Sequence, residues 1–425
     1  MGAFSKSIAL ILALGLAISL ALLFVLGQST PERQDLSLSS FPSASAEQGG
    51  YLARAANCSS CHTASPEQPY AGGVAFYSDF GLLYSTNVTP HNDQGIGTWS
   101  FTDFYYAMKH GEGPEGRHYY PAFPYVDYAQ ITDSDLASIF LYLQTLEPKD
   151  IRPPDNALGF PFNIRPLLRF WKLLFHDASE FEPNSSKSAQ WNRGAYLTEA
   201  LGHCGVCHSP RNLLGAEIER YALSGGTHMS QVKLGGYRLW SAPNITGHAT
   251  GLSSWNEEDL VQYLQTGKSH KAIVHGPMVD VVMQSTRYLS QKDSAAMAHY
   301  IKTLSPISQN ETDNSPNIAE LIEGEVIYTV HCGSCHLSSG EGADGLGVSL
   351  AKNPIVQAHD PASLLNVILY GPDLPQRPFS VDRSNMKAFG KRLSDHDIAV
   401  LTSYLRQAFG NRADRVTEAQ VAAQR

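Results

Sequence analysis

Basic runs are absent. Across 425 residues no stretch of Lys and Arg exceeds two or three, and the formal net charge is −9 at pH 7. A nucleic-acid partner would need the opposite balance, so none is expected. The chain also lacks a Gly-x-Ser-x-Gly turn, a phosphate-cradling glycine loop and a dinucleotide fingerprint. Hydrolase, NTPase and nicotinamide or flavin chemistry are thereby left without an apparatus. Of sixteen histidines, thirteen are scattered without metal-ligand pairing. Cysteine is scarce, at six, and no cysteine stands alone. Apolar residues at 43% and aromatics at 10% still suffice for folded cores.

Charge is missing altogether from residues 7–27, "SIALILALGLAISLALLFVLG". At ~1.5 Å per residue such a run spans the ~30 Å hydrocarbon core of a bilayer. It exceeds the ~7–15 residues of a signal-peptide core. The only Ala-x-Ala-like site, Ala44-Ser45-Ala46, lies far downstream. Residues 1–27 are therefore expected to be a retained transmembrane helix, with a cleaved signal segment as the alternative. Either way the remainder is exported, and Lys6 favours a cytoplasmic N-terminus.

The six cysteines form "CSSCH" (Cys58, Cys61, His62), "CGVCH" (Cys204, Cys207, His208) and "CGSCH" (Cys332, Cys335, His336). Each is Cys-x-x-Cys-His, the attachment pattern of c-type haem. Two thiols add to the porphyrin vinyl groups, and the adjacent histidine ligates the iron. A zinc site, a redox pair or disulfides would explain one copy; three copies that use every cysteine point to three covalently attached haem c groups.

The repeats extend beyond the motifs. "GGYLARAANCSSCH", "RGAYLTEALGHCGVCH" and "EGEVIYTVHCGSCH" each read as a short helix running into the site. "ITDSDLASIFLYLQTL", "LSQKDSAAMAHYIKTL" and "LSDHDIAVLTSYLRQAF" read as closing helices with Thr or Ser N-caps. Each unit thus has a helix at both ends and loops between, and resembles the class I cytochrome c fold. The expected architecture is mainly α: three tandem class I cytochrome c-like domains, at 47–150, 191–307 and 318–411. Residues 28–46 are a tether, 308–317 a linker and 412–425 a polar, frayed tail. The connecting segment 151–190 contains "FPFNIRPLLRFWKLLFH", in which Arg165, Arg169 and Lys172 share a helical face. This helix either packs between domains, or lies in a membrane interface or against a partner.

Met/His ligation suits electron transfer. Met278, after Gly-Pro, and Met386, ahead of the last helix, hold the loop position for a sixth ligand; Met283 is a weaker option and Met297 reads as core. Aligning Trp99 with Trp255 puts Phe123 where the second unit has Met278. Met108 then aligns with Leu264 and reads as a helix residue. The candidates at the first haem are His118, water or an open position, or Met108.

On "GRHYYPAFPY", "PFNIRPLLRFWKLLF", "WNRGAYLTEALGHCGVCHSPRNLLG" and "APNIT", over roughly residues 47–410, the chain resembles the membrane-bound three-haem cytochrome c subunit of bacterial periplasmic alcohol, aldehyde and gluconate dehydrogenases. The resemblance implies a subunit that oxidises no organic substrate itself. It would take electrons from a catalytic subunit (quinoprotein, flavoprotein or molybdenum enzyme) and pass them to ubiquinone or another respiratory acceptor. It implies the inner (cytoplasmic) membrane, with the haem domains facing the periplasm, and sets Arg211 beside a haem propionate. Typical members carry "YPAMPY", and a related branch carries phenylalanine as here. A three-methionine ligand set therefore does not carry over. Two other readings are a free-standing multihaem carrier and a peroxidase-like enzyme at the first haem, with His118 as distal base.

Overall fold

The computed structural model describes Gly15 and residues 33–232, 236–309, 314–343, 345–372 and 386–425. The expected membrane helix, Gly15 apart, and residues 310–313 of the linker lie outside the described residues. Among those described, no helix is long and apolar enough to cross a membrane.

The first repeat unit contributes α1 (Ala46–Ala55), β1 (Ala75–Ser78), β2 (Gly81–Tyr84), α2 (Phe101–His110) and α3 (Asp133–Leu143). The connector adds β3 (Ala157–Leu158) and α4 (Leu168–Phe175). The second unit holds α5 (Ala189–Ala195), β4 (Gly226–Gln231), β5 (Tyr237–Ala242), α6 (Glu257–Thr266), α7 (Met278–Gln284) and α8 (Gln291–Lys302). The third holds α9 (Ile318–His331), α10 (Ala362–Tyr370) and α11 (Asp395–Leu405). The two antiparallel hairpins, β1–β2 extended by β3 and β4–β5, lie where the sequence pattern predicts only loops.

In every unit the helix leading into the motif crosses the closing helix: α1 on α3, α5 on α8, α9 on α11. A glycine sits at each crossing. A Cβ on Gly49 would lie 1.8 Å from the Ser138 carbonyl oxygen, on Gly194 2.0 Å from that of Ala296, and on Gly324 2.4 Å from that of Val400. Any side chain there would force the backbones apart. The expected N-caps form: Thr132, Ser290 and Ser394 accept the amide hydrogens of Asp135, Asp293 and Asp397. These bonds start each closing helix six residues before its crossing, at Ser138, Ala296 and Val400.

The first two units pack as a pair related by pseudo-twofold exchange. Tyr51 of α1 donates to Asp293 of α8 at 2.6 Å and accepts from the Ser290 amide at 3.2 Å. Its counterpart Tyr196 donates to Asp135 of α3 at 2.7 Å and accepts from the Thr132 amide at 3.2 Å. One core cluster runs through both units, including Leu52, Leu136 and Ile139 of the first and Leu197, Leu201 and Met297 of the second. The third unit has its own core and meets the second edge-on, where Ser363 and Ser241 exchange hydrogen bonds.

One expectation changes at the end of the chain. The tail is not frayed: Val416 and Val421 are buried in the core of the third unit, and Glu418–Gln424 forms a helix with a Thr417–Gln420 capping box. Its polar composition hid two apolar anchors. The connecting helix α4 is turned opposite to an ordinary surface helix. Its basic side faces inward. Lys172 donates to the carbonyls of His110 and Gly111 at 2.6 and 2.7 Å, and so caps α2, while Arg165 donates to the His118 carbonyl at 2.8 Å.

Candidate haem-binding site

In each motif a short helical turn brings two unpaired cysteines and the histidine together. Two of these turns follow a residue held in the left-handed region, Asn57 (φ 55°) and His203 (φ 38°). That kink ends the incoming helix and redirects the thiols. Burial pushes Cys58, Cys61 and Cys204 up to about 12 and Cys207 and Cys332 up to about 11, so these thiols are neutral in an apolar setting.

The histidines repeat one arrangement. Nδ1 of His62 lies 2.6 Å from the Thr86 carbonyl, that of His208 2.8 Å from Pro243 and that of His336 2.8 Å from Val348. A carbonyl only accepts, so Nδ1 carries the proton and Nε2 keeps its lone pair. Burial lowers all three imidazoles against the raising effect of these bonds and keeps them neutral, the state a metal needs. The first two of these carbonyls are held in place in turn. Asn87 and Asn244, each next in the chain, accept from the backbone and hydroxyl of Thr89 and Thr246.

A cavity of about 1190 Å³ is lined by Cys61 of the first motif and by Cys204, Cys207 and His208 of the second, with Met278 on its wall. It exceeds the ~300–1,000 Å³ of a usual small-molecule pocket. His228 also lines it, a residue to which no sequence signal points. Its Nδ1 is buried without a hydrogen-bond partner, and burial, then His208 and Arg211, pull it down to about 4. An orphaned ring nitrogen beside paired thiols and a free imidazole nitrogen fits a large group with polar edges, as haem is. No motif marks His228; only the β4–β5 hairpin brings it here. Arg211 lines the cavity too, but its guanidinium is held by the Gly215 and Val206 carbonyls at 2.7 and 3.0 Å.

Met278, the first residue of α7, is thus brought to His208 and its cysteines, whereas Met386 borders the core cluster that contains Cys332. Phe123 packs edge-on against Tyr119, Tyr125 and Tyr128, on the cluster that Cys58 also borders. Met108 is core, as is Leu264 at the matching place on α6. His118 is not brought to the cavity. It is 5% exposed, with Nε2 accepting from Arg169 at 2.8 Å and Nδ1 2.9 Å from the Lys172 ammonium. Arg169 takes one ring nitrogen and Lys172 stands against the other, so α4 encloses the ring.

Paired thiols with an adjacent carbonyl-oriented histidine, on a helix crossed by the closing helix, define a c-type cytochrome. A cytochrome c family model matches residues 46–147, and one described as cytochrome c oxidase, cbb3-type, subunit III matches residues 319–405. The fructose dehydrogenase cytochrome subunit of Gluconobacter japonicus is 35% identical over 399 residues, 86% of this chain and 80% of that protein. The cytochrome c subunit of an alcohol dehydrogenase (quinone) from Gluconobacter oxydans is 33% identical over 383 residues, 86% of this chain and 79% of that protein. A nicotinate dehydrogenase subunit of Pseudomonas putida is 39% identical over 377 residues, 87% of this chain; the chain spans only 31% of that longer protein. The chain belongs to the family of cytochrome c subunits of fructose, alcohol and gluconate dehydrogenases.

Proposed function

We propose that the chain carries three covalent haem c groups, one at each motif, in three cytochrome c domains behind a membrane anchor. It takes electrons from a catalytic dehydrogenase subunit and passes them to ubiquinone or another respiratory acceptor on the periplasmic side of the inner membrane. The observation that carries this reading is the threefold recurrence of a histidine whose Nδ1 is pinned to a backbone carbonyl beside two unpaired thiols. Bound haem supplies one-electron iron chemistry. The chain's own residues would fix its place: the paired thiols of each motif would attach it, Nε2 of His62, His208 and His336 would be free to ligate its iron, and buried apolar residues around them would limit water. Met278 and Met386 would supply the sixth ligands of the second and third sites, and His228 and Arg211, which line the cavity, would be available to the polar groups of the second haem. At the first site Phe123 offers no donor and His118 is occupied elsewhere, so no sixth protein ligand is assigned and no distal base stands ready for peroxidase chemistry. Intact mass should exceed the apo chain by three haem units, and the chain should stain for haem after denaturing electrophoresis. Two units would overturn the count. Co-purification of a dehydrogenase subunit separates this role from that of a free-standing carrier.

A further inference from the structure

With its basic side turned inward, α4 presents its apolar side to the outside. Leu173 is 55% and Leu174 64% exposed, and the approach to the helix adds Phe160 at 82% and Phe162 at 43%. The second unit continues the patch. Leu213 is 97% exposed, and the Leu214 carbonyl accepts from Trp171 Nε1 at 2.9 Å. Exposed apolar surface of this extent calls for a cover. A bilayer interface accepts such a face, because these six side chains carry neither charge nor polar atom.

A second observation gives the direction of the cover. The apolar run ends at Gly27, six residues before Arg33, a reach of at most roughly 20 Å. Arg33 donates to the carbonyls of Glu112 and Gly113 at 3.1 and 3.2 Å. Lys172 of α4 donates to those of His110 and Gly111, on the same turn. The chain therefore arrives from its apolar segment at the point to which α4 is pinned.

We infer that the face formed by Phe160, Phe162, Leu173, Leu174, Leu213 and Leu214 rests in the interface of a lipid bilayer, as a second membrane contact beside the N-terminal segment. The inference rests on the proposed role and deepens it. Phe162, Leu174, Leu213 and Leu214 also line the cavity between the first and second sites, so that cavity opens toward the lipid phase, where a hydrophobic acceptor dissolves. Because the six side chains of the footprint are uncharged, contact depends on apolar insertion and survives high salt.

The test uses the full-length haem-loaded chain in phosphatidylcholine nanodiscs, with single cysteines introduced and spin-labelled at Phe162→Cys, Leu174→Cys and, as control, Lys391→Cys. Lys391 is an exposed, charged residue of the third unit. Oxygen should relax the labels at 162 and 174 several-fold more effectively than a water-soluble nickel chelate does, with the reverse at 391, in low and high salt alike. Labels at 162 and 174 that behave like the one at 391, or are shielded only when a dehydrogenase subunit is added, would overturn the bilayer contact. Haem content and electron transfer measured on the same samples report separately on the proposed function, which stands if they are intact.

Discussion

Phe123 and His118 decide the character of the first site, and they do so in different ways. Phe123 takes the position at which the second unit has Met278, and a phenyl ring offers iron nothing. His118 is enclosed by α4, with one ring nitrogen bonded to Arg169 and the other against Lys172. His118→Ala should therefore leave the spectrum of every haem unchanged in electron paramagnetic resonance, whereas Phe123→Met should shift one signal toward the Met/His type and raise that potential. A change of ligand field in His118→Ala would reverse this assignment. His118 also carries a pH prediction. Burial, then Lys172 and Arg169, hold its imidazole down to about 4, so the folded state binds fewer protons than the unfolded one. Stability from the docking of α4 should be present above ~6.5 and fall as pH drops toward 4, by on the order of 2–3 kcal/mol as an upper bound. Melting curves of wild type and His118→Gln should diverge above that window and converge at its acid end.

At the scale of elements, the exchange of α1 and α3 with α5 and α8 binds two repeats into one body. Asp293 is its most loaded point, taking two bonds from Arg193, at 2.9 and 2.7 Å, besides that from Tyr51. Burial alone would raise this carboxyl; the Arg193 and Tyr51 bonds outweigh it and hold it below the usual range. The sign is that of a depressed acid: its stabilisation is present above ~4 and lost as pH falls further. Asp293→Ala removes the partner of Arg193, which is partly open to solvent, and should cost roughly 1.5–3 kcal/mol, read in denaturant unfolding. Tyr51→Phe should cost about 1–3 kcal/mol by the lost hydrogen bond. Gly194→Ala, which needs the α5–α8 crossing to open against a carbonyl at 2.0 Å, should cost several kcal/mol by overpacking. If Gly194→Ala melts like wild type, the close crossing is not what sets the fold.

For the molecule as a whole, among the described residues the second unit touches both others, through the shared core on one side and the Ser241–Ser363 contact on the other. Replacing Cys204 and Cys207 by serine should remove one haem by mass and break transfer between the ends of the chain, leaving the flanking sites spectroscopically intact. Transfer at the wild-type rate would show that the path bypasses the second site.

The sequence by itself determined the chemistry and the count of motifs, because covalent attachment needs particular residues at adjacent positions, and adjacency is what a sequence records. It also placed the closing helices, whose caps and apolar spacing are local. It marked Phe123 through the repeat, since aligned repeats carry position as well as composition. What it left open depended on groups far apart in the chain. That His118 faces Arg169 and Lys172, that Tyr51 meets Asp293 across 242 residues, and that His228 reaches the second site are facts of packing. The amphipathic pattern of α4 was legible too, but not which side faces in. A helix of that pattern is stable either way round, and only the carbonyls of His110 and Gly111, waiting for a cation at the end of α2, settled the choice.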